Sequence, residues 1–272
     1  VSEQQVQALL DKVIQDTNAP SLSVAVAHKN KLKVVVAAGF ADKGSKLKAT
    51  AKTKYRTGSI AKVIGTTAFM KLVESGEVSL QDDIRHYLPY MPKRTWPLRI
   101  VHLLSHTGGI RHYNVGEYGT NIPYANLEVA SRVFRDDDLL FQPGSDYHYT
   151  TYGINLIQGV IEAKTGQPLS QFLQANLWQP ANMADTQLEM KGLDESNYAT
   201  GYRSILTSFP VADIDVSYKY IGGGMRSTPS DLVRMVIALN QGKLLNEKTK
   251  ALMLTPPFPQ ASSVQALGWR CQ

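Results

Sequence analysis

Cysteine is nearly absent from this sequence, since Cys271 is the only one among 272 residues. A lone cysteine excludes an internal disulfide and any metal site built on several cysteines. No apolar run approaches the roughly 20 residues that a membrane-spanning helix requires, and the N-terminus does not resemble a signal peptide. With 43% hydrophobic residues and no repeat or linker, the chain is expected to form a globular protein with a full core.

The first residue is Val1 rather than methionine, which indicates that the chain is processed, trimmed or cut from something longer. A signal peptide lost in this way would be compatible with a periplasmic or secreted protein. A cytoplasmic location is the alternative.

Lysine and arginine outnumber the acidic residues and give a formal net charge of +6. Many of the lysines lie between positions 29 and 54, along predicted strands and turns and without interleaved aromatic residues. This pattern indicates a solvated face, so no nucleic-acid partner is expected. Attraction to an anionic envelope polymer or a membrane surface is the alternative, and stable insertion into a membrane is not expected.

Apolar spacing and capping residues predict a series of helices and strands. Ser2 is the predicted cap of the first helix, and Thr228 with Pro229 starts the last one. Helices are predicted over residues 2–16, 59–73, 99–104, 128–134, 153–163, 169–178 and 229–240, and strands over 22–27, 33–38, 220–225 and 267–270.

The segment from Thr57 to Lys62 opens a helix, because apolar residues follow it at the i, i+4 spacing of a helix buried on one side. Ser59 then lies in the first turn, where unpartnered N–H groups stabilise negative charge on a bound acyl oxygen. Lys62 is one turn further on, so its amine can reach the Ser59 hydroxyl. A lysine whose pKa is lowered by burial can take the proton of a serine, so this pattern indicates nucleophilic catalysis.

Two other strings imitate functional motifs. Ser45 to Lys48 repeats the Ser-x-x-Lys spacing, but in a polar stretch that is typical of a hairpin end or a solvated loop. Gly222 to Gly224 is not followed by the Gly-Lys-Ser/Thr of a phosphate loop, and packing of a strand and turn beneath a site is the better interpretation.

Three histidines suggest a different class of enzyme, because His102, His106 and His112 match, with Gly109, the H-E-x-x-H-x-x-G-x-x-H spacing of zinc peptidases. The glutamate that activates the zinc-bound water would be residue 103, which is Leu103. No metal site is therefore predicted. The histidines are interpreted as residues that cap helices or line the mouth of a site.

Several stretches follow the Ser59 motif in a recognisable order: Phe141 to Ser145, Tyr147 to Gly153, Leu177 to Thr186 and Gly222 to Asp231. Together they resemble the serine β-lactamase and penicillin-binding protein superfamily, in the branch of class C β-lactamases, D-alanyl-D-alanine carboxypeptidases and related esterases. Within that branch, Ser105 to Asn114 and Ser217 to Thr228 are most similar to the mitochondrial serine β-lactamase-like protein and its bacterial relatives.

The resemblance implies that Ser59 is the acylated nucleophile, that Lys62 accepts its proton, and that Tyr149 moves protons during acylation or deacylation. The Ser59 N–H would form half of the oxyanion hole. Tyr149 needs a nearby cation such as Lys62, because a phenol of ordinary pKa is a weak base at neutral pH. A core aromatic is the alternative role for Tyr149, and Tyr147 or Tyr152 would replace it if the register of the motif differs.

The second motif of the superfamily usually reads Tyr-x-Asn, and this chain has Tyr149-Thr150-Thr151. A hydroxyl thus replaces an amide that would bind a peptide group of the substrate. The change weakens the expectation of a true β-lactamase and leaves peptidase and esterase open. Thr151 and His112 are the candidate substrate-binding residues.

The third motif, Lys-Thr-Gly or His-x-Gly on a strand, is expected beyond the last residue, Gln272. The internal strings Lys164 to Gly166 and His106 to Gly108 are predicted at a helix end and in a loop. We therefore expect these residues to be an incomplete protein that lacks the third-motif strand, its hairpin partners and a closing helix. Such a chain loses one oxyanion donor, at a cost of about 10²–10³ in rate, so it is itself expected to be inactive or nearly so. It also exposes a sheet edge prone to association.

The expected fold class is α/β plus α, an antiparallel sheet flanked by helices with an inserted helical lobe. Residues 1–272 are expected to form a single β-lactamase-related domain, with one lobe of residues 1–57 and 202–272 and a mainly helical lobe of residues 58–201. The intact protein is expected to be a serine hydrolase without metal or cofactor, acting on amide or ester bonds as a peptidase similar to D-alanyl-D-alanine carboxypeptidases. Esterase or slow β-lactamase activity is one alternative, and an inactive peptide- or peptidoglycan-binding protein is another.

Overall fold

The computed structural model describes residues 2–190, 192, 195–203, 210–211, 214–263 and 265–270. The α-helices in these ranges are α1 (Glu3–Thr17), α2 (Ile60–Glu74), α3 (Ile100–Leu104), α4 (Leu127–Ser131), α5 (Thr151–Thr165), α6 (Leu169–Leu173), α7 (Tyr220–Gly223), α8 (Pro229–Asn240) and α9 (Glu247–Leu254). A short 3-10 helix spans Ile84–His86, and a π-helix spans Gln174–Trp178. The strands are β1 (Ser21–His28), β2 (Lys31–Asp42), β3 (Leu47–Lys48), β4 (Tyr55–Arg56), β5 (Gln187–Leu188) and β6 (Met225–Ser227). Antiparallel pairing within the sheets and the flanking helices confirm the expected fold class.

Across the described ranges, none of the helices combines the length and apolar character needed to cross a membrane.

The described residues divide into two compact units. The first comprises those within Val1–Arg56, Trp178–Asp213 and Arg226–Lys243, and the second those within Thr57–Leu177, Ile214–Met225 and Leu244–Gln272. The second unit therefore includes segments that the sequence analysis grouped with the N-terminal strands, because α7 and α9 pack against α2. The expectation that the whole chain forms one domain stays a prediction.

The first unit contains a β-hairpin covered by α1. β1 and β2 pair antiparallel, and their two-residue turn places Lys29 and Asn30 in the left-handed conformation that suits a tight hairpin. Alternate residues of β2 are buried, so that Val34 and Val36 pack against the apolar face of α1. The predicted hairpin is confirmed, as is the predicted cap at Ser2, whose hydroxyl accepts a hydrogen bond from the Gln5 N–H.

A smaller sheet in the same unit has the strand order β4-β6-β5. Arg56 of β4 lies opposite Arg226 of β6, and both guanidinium groups form ion pairs with Glu189. The carboxylate thus offsets the repulsion between two adjacent cations.

The second unit is organised around α2, most of which is buried. This helix packs against α5, α7 and α9, and α5 also packs against α3 and α7. Gly65 permits the close approach of α2 and α7, because a Cβ at this position would lie 2.7 Å from the Ile221 side chain. The start of α2 is therefore held within the same packed cluster of helices as α5 and α7.

Two predicted strands are wrong. Tyr220–Gly223 is a short helix, because the N–H groups of Gly223 and Gly224 both bond back to the Lys219 carbonyl and close a local turn. Residues 267–270 form a turn, in which the Ala266 N–H donates to the Trp269 carbonyl and Gly268 has a φ of +69°. Glycine adopts this left-handed conformation readily, so the chain turns at Gly268 and does not continue as a strand.

Candidate active site

Ser59 immediately precedes α2 and occupies its N-cap position. Its hydroxyl makes no capping hydrogen bond to the helix, so the oxygen is left to other partners. Ser59 is exposed, and its backbone N–H makes no hydrogen bond to the residues that the structure describes. A hydroxyl and an N–H group of the same residue are therefore both open to an approaching substrate.

Lys62 lies one turn further along α2, and its ammonium group contacts the serine. Lys62 Nζ is 3.1 Å from Ser59 Oγ and donates a hydrogen bond of 2.6 Å to the Gly222 carbonyl. The residue is only 3% exposed. Burial, and to a smaller extent the positive charge of Lys219, lower the pKa of Lys62 to about 7. Lys62 therefore loses its proton near neutral pH, as a general base requires.

Tyr149 completes the cluster around the serine oxygen. Its hydroxyl donates a hydrogen bond of 2.6 Å to Ser59 Oγ, and Lys62 Nζ lies 5.0 Å from the centre of its ring. Burial raises the pKa of Tyr149, and the hydrogen bond that its hydroxyl makes to Ser59 opposes the shift, so the phenol keeps its proton at neutral pH. The structure thus brings the three predicted catalytic residues together at a single atom, Ser59 Oγ.

The neighbouring tyrosines do not take this place. The Tyr152 hydroxyl bonds to the Glu117 carboxylate, and the Tyr147 ring packs edge-on against His106. Of the three tyrosines that the sequence left open, Tyr149 is therefore the one in contact with Ser59.

Asn155 holds α7 in place and was missed by the sequence analysis. Asn155 of α5 is 1% exposed, and its amide donates to the Tyr218 carbonyl (2.6 Å) and accepts from the Gly222 N–H (2.8 Å). Gly222 has no room for a side chain, because a Cβ would lie 2.3 Å from the Thr151 methyl group. Asn155 is a polar residue within the apolar run of α5, and this position in the sequence indicated a buried amide with hydrogen-bond partners, because buried amides are usually hydrogen-bonded.

Lys219, just before α7, is a second buried cation that the sequence did not identify. It is 5% exposed, and its Nζ lies 5.8, 4.5 and 4.9 Å from the ring centres of Tyr113, Tyr118 and Tyr218. The negative faces of aromatic rings stabilise such a cation. The alternation of lysine with tyrosine in Ser217 to Tyr220 was the signal that pointed to it.

The two candidate substrate-binding residues both lie beside Tyr149. Thr151 is 4% exposed, and its methyl group packs against Gly222. His112 is half-buried, and its ring stands edge-on to the Tyr149 ring with 5.6 Å between the centres. Their roles in substrate binding stay predictions.

The histidines of the zinc-like pattern act as hydrogen-bond acceptors at helix starts. His102 Nδ1 accepts from the Arg99 N–H before α3, while His106 and His112 accept from the Thr150 and Thr151 N–H groups at the start of α5. The interpretation as capping residues is confirmed. Within the described ranges, no group of three or more His, Cys, Asp or Glu side chains is placed to hold a metal ion.

The internal strings that imitate the third motif lie where the sequence predicted. Lys164 and Thr165 end α5, and Gly166 is its C-cap with a φ of +66°. His106 to Gly108 follows α3 as a loop. Neither string lies on a strand.

The fold is that of the serine β-lactamase and penicillin-binding protein superfamily, as the sequence resemblance implies. The chain belongs to the Beta-lactamase family, whose model matches residues 6–270. It is 24% identical over 307 residues to the human protein "Serine beta-lactamase-like protein LACTB, mitochondrial", covering 86% of this chain and 56% of that protein. It is 24% identical over 205 residues to "Protein flp" of Staphylococcus aureus (strain MRSA252), covering 74% of this chain and 41% of that protein.

Solved structures share the fold. The hydrolase EstCE1, described as having promiscuous acyltransferase activity, superposes with a TM-score of 0.85 at 24% identity, covering 97% of this chain and 81% of that one. The octameric penicillin-binding protein homologue from Pyrococcus abyssi gives a TM-score of 0.82 at 21% identity, covering 97% and 64%. The chain spans about half the length of the curated relatives, 41% of the staphylococcal protein and 56% of the human one.

The lowered pKa of Lys62 predicts a pH dependence of serine acylation. Only the unprotonated amine can accept the proton of Ser59, so the acylation rate should fall about tenfold per pH unit below the pKa of about 7 and level off above it. The rate of labelling by a fluorophosphonate, measured from pH 5 to pH 9, checks this expectation. A flat profile, or an acid limb centred near the ordinary lysine pKa, would contradict the assignment of Lys62 as the base.

Proposed function

We propose that the protein is a serine hydrolase that works through an acyl-enzyme. The observation that carries this proposal is the convergence of Lys62 Nζ and the Tyr149 hydroxyl on the exposed Ser59 Oγ. A nucleophile activated by a base, with a proton donor beside it, is the arrangement that acyl transfer requires. Members of the Beta-lactamase family are generally serine hydrolases, which agrees with this chemistry.

Each residue has a defined role in the proposed reaction. Unprotonated Lys62 takes the Ser59 proton as the oxygen attacks the carbonyl carbon of the substrate, and the Gly222 carbonyl holds the resulting ammonium group. The Ser59 N–H stabilises the oxyanion as one of its two donors. The Tyr149 phenol, which keeps its proton at neutral pH, delivers a proton to the leaving group. Water then attacks the acyl-enzyme and gives one proton to the Tyr149 phenolate, and the Lys62 ammonium group returns its proton to Ser59 Oγ as the acid product leaves.

For the substrate, we propose an amide bond in a small peptide, cleaved as in D-alanyl-D-alanine carboxypeptidases. The similarity to penicillin-binding protein structures supports this choice. Ester hydrolysis is the second candidate, because Thr151 replaces the amide that would bind a substrate peptide group and because EstCE1 shares the fold. A periplasmic or secreted location would suit a peptidoglycan-like substrate and stays a prediction.

A panel of three substrates tests the proposal on the full-length gene product, since the curated relatives are longer than this chain. The panel contains a peptide ending in D-alanyl-D-alanine, a p-nitrophenyl ester and a penicillin, each with the wild-type protein and with Ser59→Ala. We expect release of D-alanine and slower or no opening of the penicillin. Cleavage of the ester alone would favour the esterase. No turnover of any substrate by a folded protein that binds the peptide would identify an inactive binding protein.

A further inference from the structure

The backbone on both sides of Tyr149 is held by two histidines. The residues concerned are His148, Thr150 and Thr151, whose N–H groups lie before or within the first turn of α5. N–H groups in this position have no partner inside the helix. They must find acceptors elsewhere, and in this structure they find them on His106 and His112.

His106 binds the residues that flank Tyr149 on each side. Its carbonyl accepts from the His148 N–H (2.9 Å), and its Nδ1 accepts from the Thr150 N–H (3.3 Å). Its ring lies against the Tyr149 ring, with 4.7 Å between the centres. His106 is 2% exposed and has a φ of +57°, an uncommon conformation for a residue with a side chain. Such a backbone conformation persists only where the surrounding structure holds it.

His112 holds the next amide in the chain. Its Nδ1 accepts from the Thr151 N–H (3.2 Å), and its ring stands edge-on to Tyr149 at an interplanar angle of 87°. The Thr150 hydroxyl also donates to the Arg111 carbonyl (2.7 Å), the residue before His112. Tyr149 is thus enclosed by two imidazole rings whose acceptor nitrogens bind the two amides that follow it.

These hydrogen bonds require unprotonated imidazole nitrogens. Burial, together with the nearby charge of Lys62, lowers the pKa of His106 to about 3 and that of His112 to about 4. Both rings are therefore neutral at the pH at which Lys62 becomes a base, and the tautomer that carries its proton on Nε2 leaves Nδ1 free to accept. Both rings also add no positive charge beside the ammonium group of Lys62.

We propose that His106 and His112 are positioning residues that fix the Tyr149 hydroxyl on Ser59 Oγ, because they bind the backbone on both sides of Tyr149 and pack against its ring. This inference rests on the proposed hydrolase function. The Tyr149 phenol reaches the serine with a single hydrogen bond of 2.6 Å, so its placement depends on the backbone that carries it. A displacement of about 1 Å in a reacting group can cost about 10²-fold in rate.

The test compares variants of the full-length gene product in fluorophosphonate acylation and in substrate turnover. His112→Leu removes the acceptor and should lower the acylation rate constant and kcat about 10- to 100-fold with little change in KM. His112→Asn keeps an acceptor oxygen near the position of Nδ1 and should restore most of the rate. At His106, Asn is the conservative choice because it tolerates a positive φ, and His106→Asn should retain activity where His106→Leu loses it.

His102→Leu is the matched control. It removes a histidine that also accepts a backbone hydrogen bond through Nδ1, but at the start of α3 rather than beside Tyr149. This variant should acylate at the wild-type rate if it remains folded. Thermal unfolding of every variant identifies those that lose activity because they lose structure.

The decisive measurement combines His112→Leu with Tyr149→Phe. If His112 acts through the Tyr149 hydroxyl, its loss should cost less than about threefold once that hydroxyl is gone, so the two effects are not additive. Additive losses, or a wild-type acylation rate in folded His112→Leu, would overturn the positioning role. Failure of the hydrolase proposal gives a different result, because wild-type protein would then not be labelled at Ser59 at all.

Discussion

Ser59→Ala should abolish turnover, with a loss in kcat on the order of 10⁵- to 10⁶-fold, because no other group can form the acyl-enzyme. The alanine removes only an oxygen at an exposed position before α2, where the hydroxyl makes no capping bond. The free energy of unfolding should therefore be almost unchanged. Hydrolysis of the preferred panel substrate by wild-type and variant protein, with thermal unfolding as the check on structure, measures both effects.

Ser45→Ala is the control for this prediction. Ser45 opens the other Ser-x-x-Lys string, in an exposed turn between β2 and β3 where its N–H bonds to the Asp42 carboxylate. Its hydroxyl has no base comparable with Lys62, so the variant should turn over substrate like the wild type. A comparable loss in both variants would point to a general effect on the protein and count against Ser59 as the nucleophile.

Lys62→Met should lower the acylation rate about 10²- to 10⁴-fold, the usual contribution of a general base. Methionine fills a similar volume in the buried site and removes an amine that burial penalises, so the fold should be retained. Any residual acylation should lose the acid limb near pH 7. The rate constant of fluorophosphonate labelling, measured across pH, reports both changes.

Lys71→Met provides the comparison on the same helix. Lys71 lies near the end of α2 and pairs with Glu74 at 2.8 Å on a partly exposed face. Surface ion pairs contribute about 0–1 kcal/mol to stability, and this one does not contact Ser59. Acylation should keep both its rate and its pH profile. If Lys62→Met retained the acid limb, the titrating group would have to be another residue.

Local sequence signals were sufficient for most of the framework. The capping box at Ser2, the hairpin of β1 and β2, and the start of α8 at Thr228 and Pro229 each depend on residues close in sequence. The Ser59–Lys62 pair is local for the same reason, because one helical turn separates the two residues. The sequence could therefore place these elements without knowledge of the packing around them.

Contacts between distant segments explain what the sequence did not reveal. Gly222 accepts the Lys62 hydrogen bond across 160 positions of sequence, and Asn155 holds Gly222 across 67. The sequence analysis predicted a strand at the glycine run, but these residues form a helical turn. That turn depends on backbone hydrogen bonds to the Lys219 carbonyl, which the spacing of residues in the sequence does not reveal. The polarity of Asn155 indicated a buried partner but not which one.

The histidines also make contacts that the sequence alone could not predict. Their spacing resembled that of a zinc site, and the absence of glutamate at Leu103 argued against it. The sequence could interpret them as caps, but it could not show that two of them bind consecutive amides beside Tyr149. That arrangement depends on the loop after α3 lying against the start of α5.

Intact mass spectrometry of the full-length gene product after incubation with a fluorophosphonate tests the central claim most directly. Wild-type protein and Ser45→Ala should each gain the mass of one adduct, and Ser59→Ala should gain none. Peptide mapping should place that adduct on Ser59. Folded wild-type protein that gains no adduct, or a Ser59→Ala variant that gains the same one, would contradict the account of Ser59 as an activated nucleophile.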